Sequence, residues 1–387
     1  MSTRKRKVCV VVSARASYAR IRSALVAIKA RPDLDLILVT MASAVLDRYG
    51  NAESVIEQDG FEIAERVFTI LEGQNLITSA KSTGLGIVEL ATVLGKWQPD
   101  VVVTVADRFE TMATAIASSY LNIPLAHVQG GEVTGSIDER VRHSVTKLAD
   151  LHFVSSTKAR ERVVRMGENP DAVFVTGCPS IDIAAGVLRQ PDLDFDPFER
   201  YGGVGPEFEL AEPYLVVAQH PVTTEYDAAR QHVWETLRAV ESMELPTLWF
   251  WPNVDAGSDG TSNGIRTFRE TVQPRRTRFF KNMHPNDFLR LAFNSACLVG
   301  NSSVALREGA FLGIPGVNVG SRQGTRDRSE NVIDVGYQRD EIRAAIEKQV
   351  DHGRYQSSEL YGRDGAGVRI AELLATAPLE IEKSLFY

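Results

Sequence analysis

Short apolar, β-branched runs alternate with longer amphipathic stretches along most of the chain, the pattern of parallel βα units. Val8–Ser13, Leu34–Thr40, Val101–Ala106, Pro124–Gln129, Leu151–Ser155 and Ala172–Thr176 read as strands buried on both faces. Tyr18–Lys29, Thr111–Tyr120, Asp138–Leu148 and Thr157–Met166 carry helical spacing, and Gly95–Asp100 closes a further helix before the next strand. The rhythm breaks from Gly186 to Pro213, where four prolines and three further glycines show no clean period; this predicts a linker. It then restarts, with strands expected at Tyr214–Ala218, Thr247–Trp251, Arg278–Phe280, Ala296–Val299, Gly316–Val319 and Asn331–Val335. Helices are expected at Asp227–Met243, Asn286–Asn294 and Val304–Phe311, and a last amphipathic segment at Val368–Thr376.

Two successive doubly wound sheets predict an α/β protein of two Rossmann-like domains facing across a cleft, residues 1–185 and 214–365, joined by a linker at 186–213. In open α/β sheets ligands sit beyond the carboxyl ends of the strands, so the loops there are where chemistry is expected. A length of 387 residues suits two domains, and 44% hydrophobic with 24% charged residues is globular composition. The net charge of −7 argues against a nucleic-acid surface and asks for a local basic or dipolar site if a polyanion binds. Three scattered cysteines, Cys9, Cys178 and Cys297, form neither a disulfide framework nor a metal-ligand spacing. The basic start, Arg4 to Lys7, runs straight into a strand without a signal peptide's apolar segment, and no run approaches the roughly 20 residues of a membrane span. The expected compartment is the cytoplasm, with no membrane partner.

Four loops are unusually polar. After the first strand, Ser13-Ala14-Arg15-Ala16-Ser17-Tyr18 could hold a phosphate through backbone N–H groups and Arg15, but it lacks the glycines of a dinucleotide site. Asp107 ends an apolar strand, where it also fits a helix N-cap, and Arg108 beside it can pair with phosphate or carboxylate. In Gln129–Glu139, paired Gly130 and Gly131 would let backbone approach a ligand, Glu132 follows at once, and Asp138 opens a helix. Ser136 with Glu139 also fits a capping box. Clustered carboxylates raise one another's pKa, giving one protonated acid and one ionised base, so Asp107, Glu132 and Asp138 suit general acid–base work. A metal is the competing use of three carboxylates, and no adjacent histidine pair or Ca²⁺ loop supports it.

In the second half, His220 follows an apolar strand, and Asn253 lies in a further strand-end loop. Gly300-Asn301-Ser302-Ser303 is expected to lead directly into a helix, making a diphosphate cradle, with Glu308 about two turns along to accept ribose hydroxyls.

In these residues the chain resembles the hydrolysing UDP-N-acetylglucosamine 2-epimerases of the bacterial sialic- and legionaminic-acid pathways. The likeness lies in Arg15–Tyr18, Asp107–Glu110, His127–Asp138, Arg142–Leu148, His220–Thr224 and Gly300–Ser303 with Arg307 and Glu308, in order and spacing. It implies a GT-B-type fold, with a C-terminal helix at about 366–387 returning to the first domain. It also implies a reaction without cofactor or metal: UDP-GlcNAc and water give N-acetylmannosamine and UDP, by anti elimination to a 2-acetamidoglucal and then hydration. Catalysis would fall to Asp107, Glu132, Asp138 and His220. UDP and sugar binding would fall to Arg15, Arg108, Asn253, Ser302, Ser303, Glu308 and Arg322. A homodimer or homotetramer is implied as well. Two residues depart from the family's pattern: Ser17 stands where an acidic residue is usual, and Ala106 where glycine is common. A di-N-acetylated 6-deoxy sugar nucleotide is an alternative substrate. A non-hydrolysing epimerase, a GT-B glycosyltransferase and a non-catalytic nucleotide-sugar sensor are rival readings.

Overall fold

The computed structural model of the chain describes residues 4–47, 52–73, 75–106, 108–134, 137–252 and 257–387. Asp107 and Asn253 therefore lie outside the described residues, as does Ser136 of the expected capping box. The chain forms two compact units: one of Met1–Val133, Ile137–Asp182 and Tyr361–Tyr387, the other of Thr134–Ser136 and Ile183–Leu360.

The first unit is built on seven parallel strands: β1 (Arg6–Val12), β2 (Leu34–Met41), β3 (Glu65–Val67), β4 (Val101–Val105), β5 (Leu125–Val128), β6 (Leu151–Val154) and β7 (Val173–Val175). They lie in the order β3-β2-β1-β4-β5-β6-β7. In β1 the side chains alternate between two cores. Val8, Val10 and Val12 pack with Tyr18, Ile21, Leu25, Ile370 and Leu374. Cys9 and Val11 pack on the other face with Leu90, Leu94, Val141 and Val145. Each buried aliphatic side chain contributes roughly 1.5–3 kcal/mol, and the strand pairs in register with Leu34–Thr40 on one side and Val101–Val103 on the other.

The second unit repeats the plan with six parallel strands: β8 (Leu215–Ala218), β9 (Thr247–Phe250), β10 (Thr277–Phe280), β11 (Cys297–Gly300), β12 (Gly316–Val319) and β13 (Val332–Val335). Their order is β10-β9-β8-β11-β12-β13. In each sheet the order reverses once, between β1 and β4 and between β8 and β11. Those two switch points are where such sheets open a crevice for ligands.

Several expectations need correction. The stretch read as a linker is packed into the second unit. Pro197–Tyr201 is a short helix whose first turn is capped by Asp196, and Phe198 is buried against Phe208 and Phe280. Val204 pairs antiparallel with Phe279, covering the edge strand β10, and the Arg278 guanidinium donates to the carbonyls of Gly202 and Gly205. The prolines and glycines thus shape a strap over a sheet edge. The expected helix at Tyr18–Lys29 is two, Arg15–Ala19 and Arg22–Ala30, broken where Ile21 leaves helical geometry at φ −125°.

At the other end, the last helix stops at Thr376 instead of running on to 387. It packs on Arg22–Ala30 so closely that a Cβ on Gly367 would stand 2.4 Å from the Ser23 carbonyl carbon. Both carboxylate oxygens of Asp182 accept from the N–H groups of Ala366 and Gly367 at its start. The remaining tail is extended, and Lys383 in it reaches the buried Glu168 at 2.6 Å. Among the described residues no helix is long and apolar enough to cross a membrane.

Candidate active site

The carboxyl ends of the first unit's central strands are locally strained. Ala106 follows β4 with φ +64° and Gln129 follows β5 with φ +69°, both in the left-handed region that disfavours residues with a Cβ. Strain of this kind persists only where neighbours fix it, and His127 does so here. A carbonyl can only accept, so the His127 Nε2–H donates to the Ala106 oxygen at 2.9 Å. The ring Nδ1 is hydrogen-bonded to the Thr146 hydroxyl at 3.1 Å. One buried histidine thereby ties the residue before Asp107 to the helix Ile137–Leu148, which carries Asp138 in its first turn.

Glu132 is buried at the end of the β5 loop, and its Oε1 accepts from the Ser155 hydroxyl at 2.9 Å. Its backbone carbonyl accepts from Arg142, one turn beyond Asp138 on the same helix, at 2.7 Å. Glu132 and Asp138 therefore sit on elements clamped together by Arg142. The glycine pair also meets close neighbours within the chain. A Cβ on Gly131, where φ is +74°, would lie 2.3 Å from the Ala159 carbonyl oxygen, and one on Gly130 would lie 3.0 Å from His127 and Thr146. Gly131 makes room for the helix Thr157–Arg165, and Gly130 for the His127–Thr146 pair.

Around the other half of this switch point, Arg108 is buried with Glu110 and pairs with it at 3.0 Å. Burial, together with the neighbouring Arg108 charge, pushes the Arg15 guanidinium down to about 10. Ser17, the departure from the acidic pattern, is buried and its hydroxyl accepts from the Ala14 N–H at 3.0 Å, the task an N3 carboxylate performs in a capping box.

In the second unit the strand ends are held by neutral amides. Gly300 has φ +121°, and a Cβ there would stand 2.3 Å from the Ala218 carbonyl oxygen. The buried Asn301 side chain then reads both backbone groups of His220: Oδ1 accepts its N–H at 2.7 Å and Nδ2 donates to its carbonyl at 2.8 Å. The Asn301 carbonyl accepts in turn from Arg322 at 3.3 Å and Gln323 at 3.1 Å. His220, Ser302, Ser303 and Arg322 are thus brought to one loop cluster. The regular helix begins only at Glu308, because residues 303–307 form irregular turns. Glu308 therefore opens the helix instead of lying two turns along it. Its Oε2 is buried without a hydrogen-bond partner among the described residues, although the Arg307 Nε lies 3.8 Å away. Arg307 also donates to the Ser303 hydroxyl at 2.9 Å.

His127, Ser155 and Asn301 are the positioning residues that sequence reasoning passed over. His127 and Asn301 stood inside the quoted motifs. Their signal was a polar side chain within or directly after a wholly apolar strand, where a buried polar group must find partners.

The profile of the UDP-N-acetylglucosamine 2-epimerase family matches residues 26–375. A hydrolysing UDP-N,N'-diacetylbacillosamine 2-epimerase of Legionella pneumophila is 32% identical over 375 residues, 97% of either chain. A UDP-N-acetylglucosamine 2-epimerase of Neisseria meningitidis serogroup B is 26% identical over 92% of this chain and 90% of its own. Among solved structures, the UDP-GlcNAc 2-epimerase of Methanocaldococcus jannaschii in complex with UDP-GlcNAc and UDP superposes with a TM-score of 0.77, at 17% identity over 95% of this chain and 99% of that one. That likeness gives the fold, the GT-B type with two parallel-sheet α/β units. The match along nearly the whole sequence gives more: the chain belongs to the UDP-N-acetylglucosamine 2-epimerase family, a family of enzymes.

Proposed function

We propose that the protein is a hydrolysing 2-epimerase of a UDP-linked 2-acetamido sugar, releasing the free 2-epimeric sugar and UDP without a metal or cofactor. A base removes the proton from C2 while the C1–O bond breaks and UDP departs, leaving a 2-acetamidoglucal. Water then adds at C1, and C2 takes a proton on the opposite face. Two faces of one carbon require two acid–base groups, and Asp107, Glu132 and Asp138 supply them. The observation that carries this reading is the buried Glu132 carboxylate, held by Ser155 and clamped to the helix of Asp138. Ser302, Ser303, Arg15 and Arg322 take the diphosphate, His220 supports the departing phosphate, and Glu308, with its unpaired buried oxygen, takes ribose hydroxyls. Arg108 and Asn253 complete the binding set.

The relative 32% identical acts, by its name, on UDP-N,N'-diacetylbacillosamine, which favours the di-N-acetylated 6-deoxy sugar. The relative 26% identical is named for UDP-N-acetylglucosamine, and UDP-GlcNAc, the substrate that the sequence resemblance implied first, is the second reading. Both products serve the nonulosonic (sialic-type) acid pathways. Incubation with each nucleotide sugar in deuterated water decides between them. The reading requires free 2-epimeric sugar carrying deuterium at C2, together with UDP, and faster turnover of the di-N-acetylated substrate. Intact UDP-sugar epimer as the main product overturns hydrolysis, and sugar transfer to an added acceptor without deuterium uptake overturns the reaction class.

A further inference from the structure

Glu225 follows His220 in the same loop of the second unit, inside the short helix Thr223–Ala228, and both oxygens of its half-buried carboxylate are engaged. Oε1 accepts from the Ser321 hydroxyl, and Oε2 accepts from the Tyr337 hydroxyl at 2.9 Å. Ser321 opens a tight turn, closed where the Gly324 N–H donates to the Ser321 carbonyl at 2.9 Å. Arg322 is the first of that turn's two central residues. Tyr337 is itself fixed. His232 stacks on its ring with centroids 3.5 Å apart, and Gly320 leaves it room, since a Cβ there would stand 2.2 Å from the ring.

A carboxylate tied to the residue before Arg322 opposes the charge that Arg322 is assigned to bind, so its use is not electrostatic attraction of the ligand. Its partners show another use. Asn301 already joins the same two loops at one point: its side chain holds the His220 backbone, and its carbonyl accepts from Arg322 and Gln323. A turn gripped only through the side chains of its central residues remains free to pivot. Glu225 grips it at Ser321, from the segment that carries His220, and removes that freedom. Recognition of a diphosphate depends on donors held at fixed angles, and a second anchor supplies this for the guanidinium.

We propose that Glu225 is a positioning residue of the UDP site, acting through the Ser321 turn to hold Arg322 in place for the diphosphate. The inference rests on the assignment of Arg322 to the diphosphate made above, and is independent of the reaction that follows binding.

Titration calorimetry of UDP binding to the full chain tests it, with thermal midpoints as the check that each variant is folded. Removing a carboxylate near a site for an anion should tighten binding if charge alone counts. Glu225→Ala should instead weaken UDP binding about 3- to 10-fold, the scale of one lost hydrogen-bonded anchor. Ser321→Ala, at an exposed turn position, should reproduce that loss, and it alone decides if Glu225→Ala does not fold. Glu225→Gln should return the affinity to the parent's or better, because its amide oxygen accepts from Ser321 while its N–H groups reach the Tyr337 oxygen. Arg322→Ala should weaken UDP binding about 10- to 100-fold, and adding Glu225→Ala to it should cost nothing more. Three results overturn the proposal while the UDP site stands: unchanged or tighter binding in Glu225→Ala or Ser321→Ala, Glu225→Gln as weak as Glu225→Ala, or losses that add to that of Arg322→Ala. Arg322→Ala with full UDP affinity fails differently, removing Arg322 from the diphosphate and the proposal with it.

Discussion

The two units share one plan, yet their strand ends are finished by opposite means. In the second, glycine absorbs the unusual backbone: Gly300 turns at φ +121° where a Cβ would strike the Ala218 carbonyl. Around it neutral amides, Asn301 and Gln323, tie the loops together. In the first, Gly131 does the same one step further along, but the residues directly after the strands, Ala106 and Gln129, carry positive φ with side chains, and the Arg108–Glu110 pair lies beside them. A phosphate-binding loop needs bare backbone, which glycine gives without strain. An acid–base site needs carboxylates at fixed angles, and that calls for side chains braced against one another. The contrast yields four predictions, from the largest effect down.

Gly300→Ala should cost about 3 kcal/mol or more, from an unfavourable φ and a clash with backbone that cannot move aside. Its denaturation midpoint should fall and UDP binding should weaken with it. A fully stable variant would mean that the second unit's loop is not held by close approach.

Glu132→Gln keeps the shape and the Ser155 contact but removes the ionisable group. Turnover should fall roughly 10²-fold or more while UDP affinity stays near normal. Ser302→Ala with Ser303→Ala should do the reverse and act mainly on UDP affinity. Equal losses of both quantities in both variants would erase the proposed division between the units.

Acid should also separate them. Burial works against ionising Glu168, but hydrogen bonds from His152, Lys147 and Lys383 outweigh it and bring the carboxyl down to about 2. A carboxyl lowered in the fold stabilises above its unfolded value, near 4.5, and loses that contribution as the pH falls towards about 2. Burial lowers His152 as well, so its share is lost on acidification below about 6.5. Both groups sit in the first unit. Hydrogen exchange followed from about pH 4.5 down towards 2 should therefore show the first unit losing protection faster than the second, and in Glu168→Gln, already weaker at neutral pH, that further acid-dependent loss should be smaller. Uniform loss of protection in the two units would rule the cluster out as its cause.

How much of this was legible beforehand follows from what periodicity can carry. The buried strands stand out because apolar runs such as Val8–Val12 and Val101–Val105 admit no other reading. β3 did not, since three residues, Glu65, Arg66 and Val67, are too few to show a period. The linker reading failed because prolines and glycines mark irregular backbone without saying whether it is packed. Residue types and order were enough to put His220, Glu132 and the Ser302 loop beyond the carboxyl ends of strands, where the structure has them. They could not reveal that Gly131 yields to Ala159, or that Asn301 holds His220, because both facts depend on neighbours distant in sequence.

Ala106 offers the finest test of the comparison, because one substitution can be set against itself elsewhere. Ala126→Gly in β5 removes a buried methyl and frees the unfolded chain, which together should cost about 1–2 kcal/mol. Ala106→Gly loses the same two contributions from an equally buried position. It also releases the left-handed strain of an alanine at φ +64°, about 1–2 kcal/mol in the other direction. The two should nearly cancel, leaving stability within about 1 kcal/mol of the parent. Denaturant midpoints of the two variants measure the difference directly, and that difference is the strain held at the residue before Asp107. If Ala106→Gly costs as much as Ala126→Gly, the first unit stores no strain there. If instead it is neutral and turnover changes by no more than a few-fold, the strain is real but His127 alone sets the carbonyl's direction.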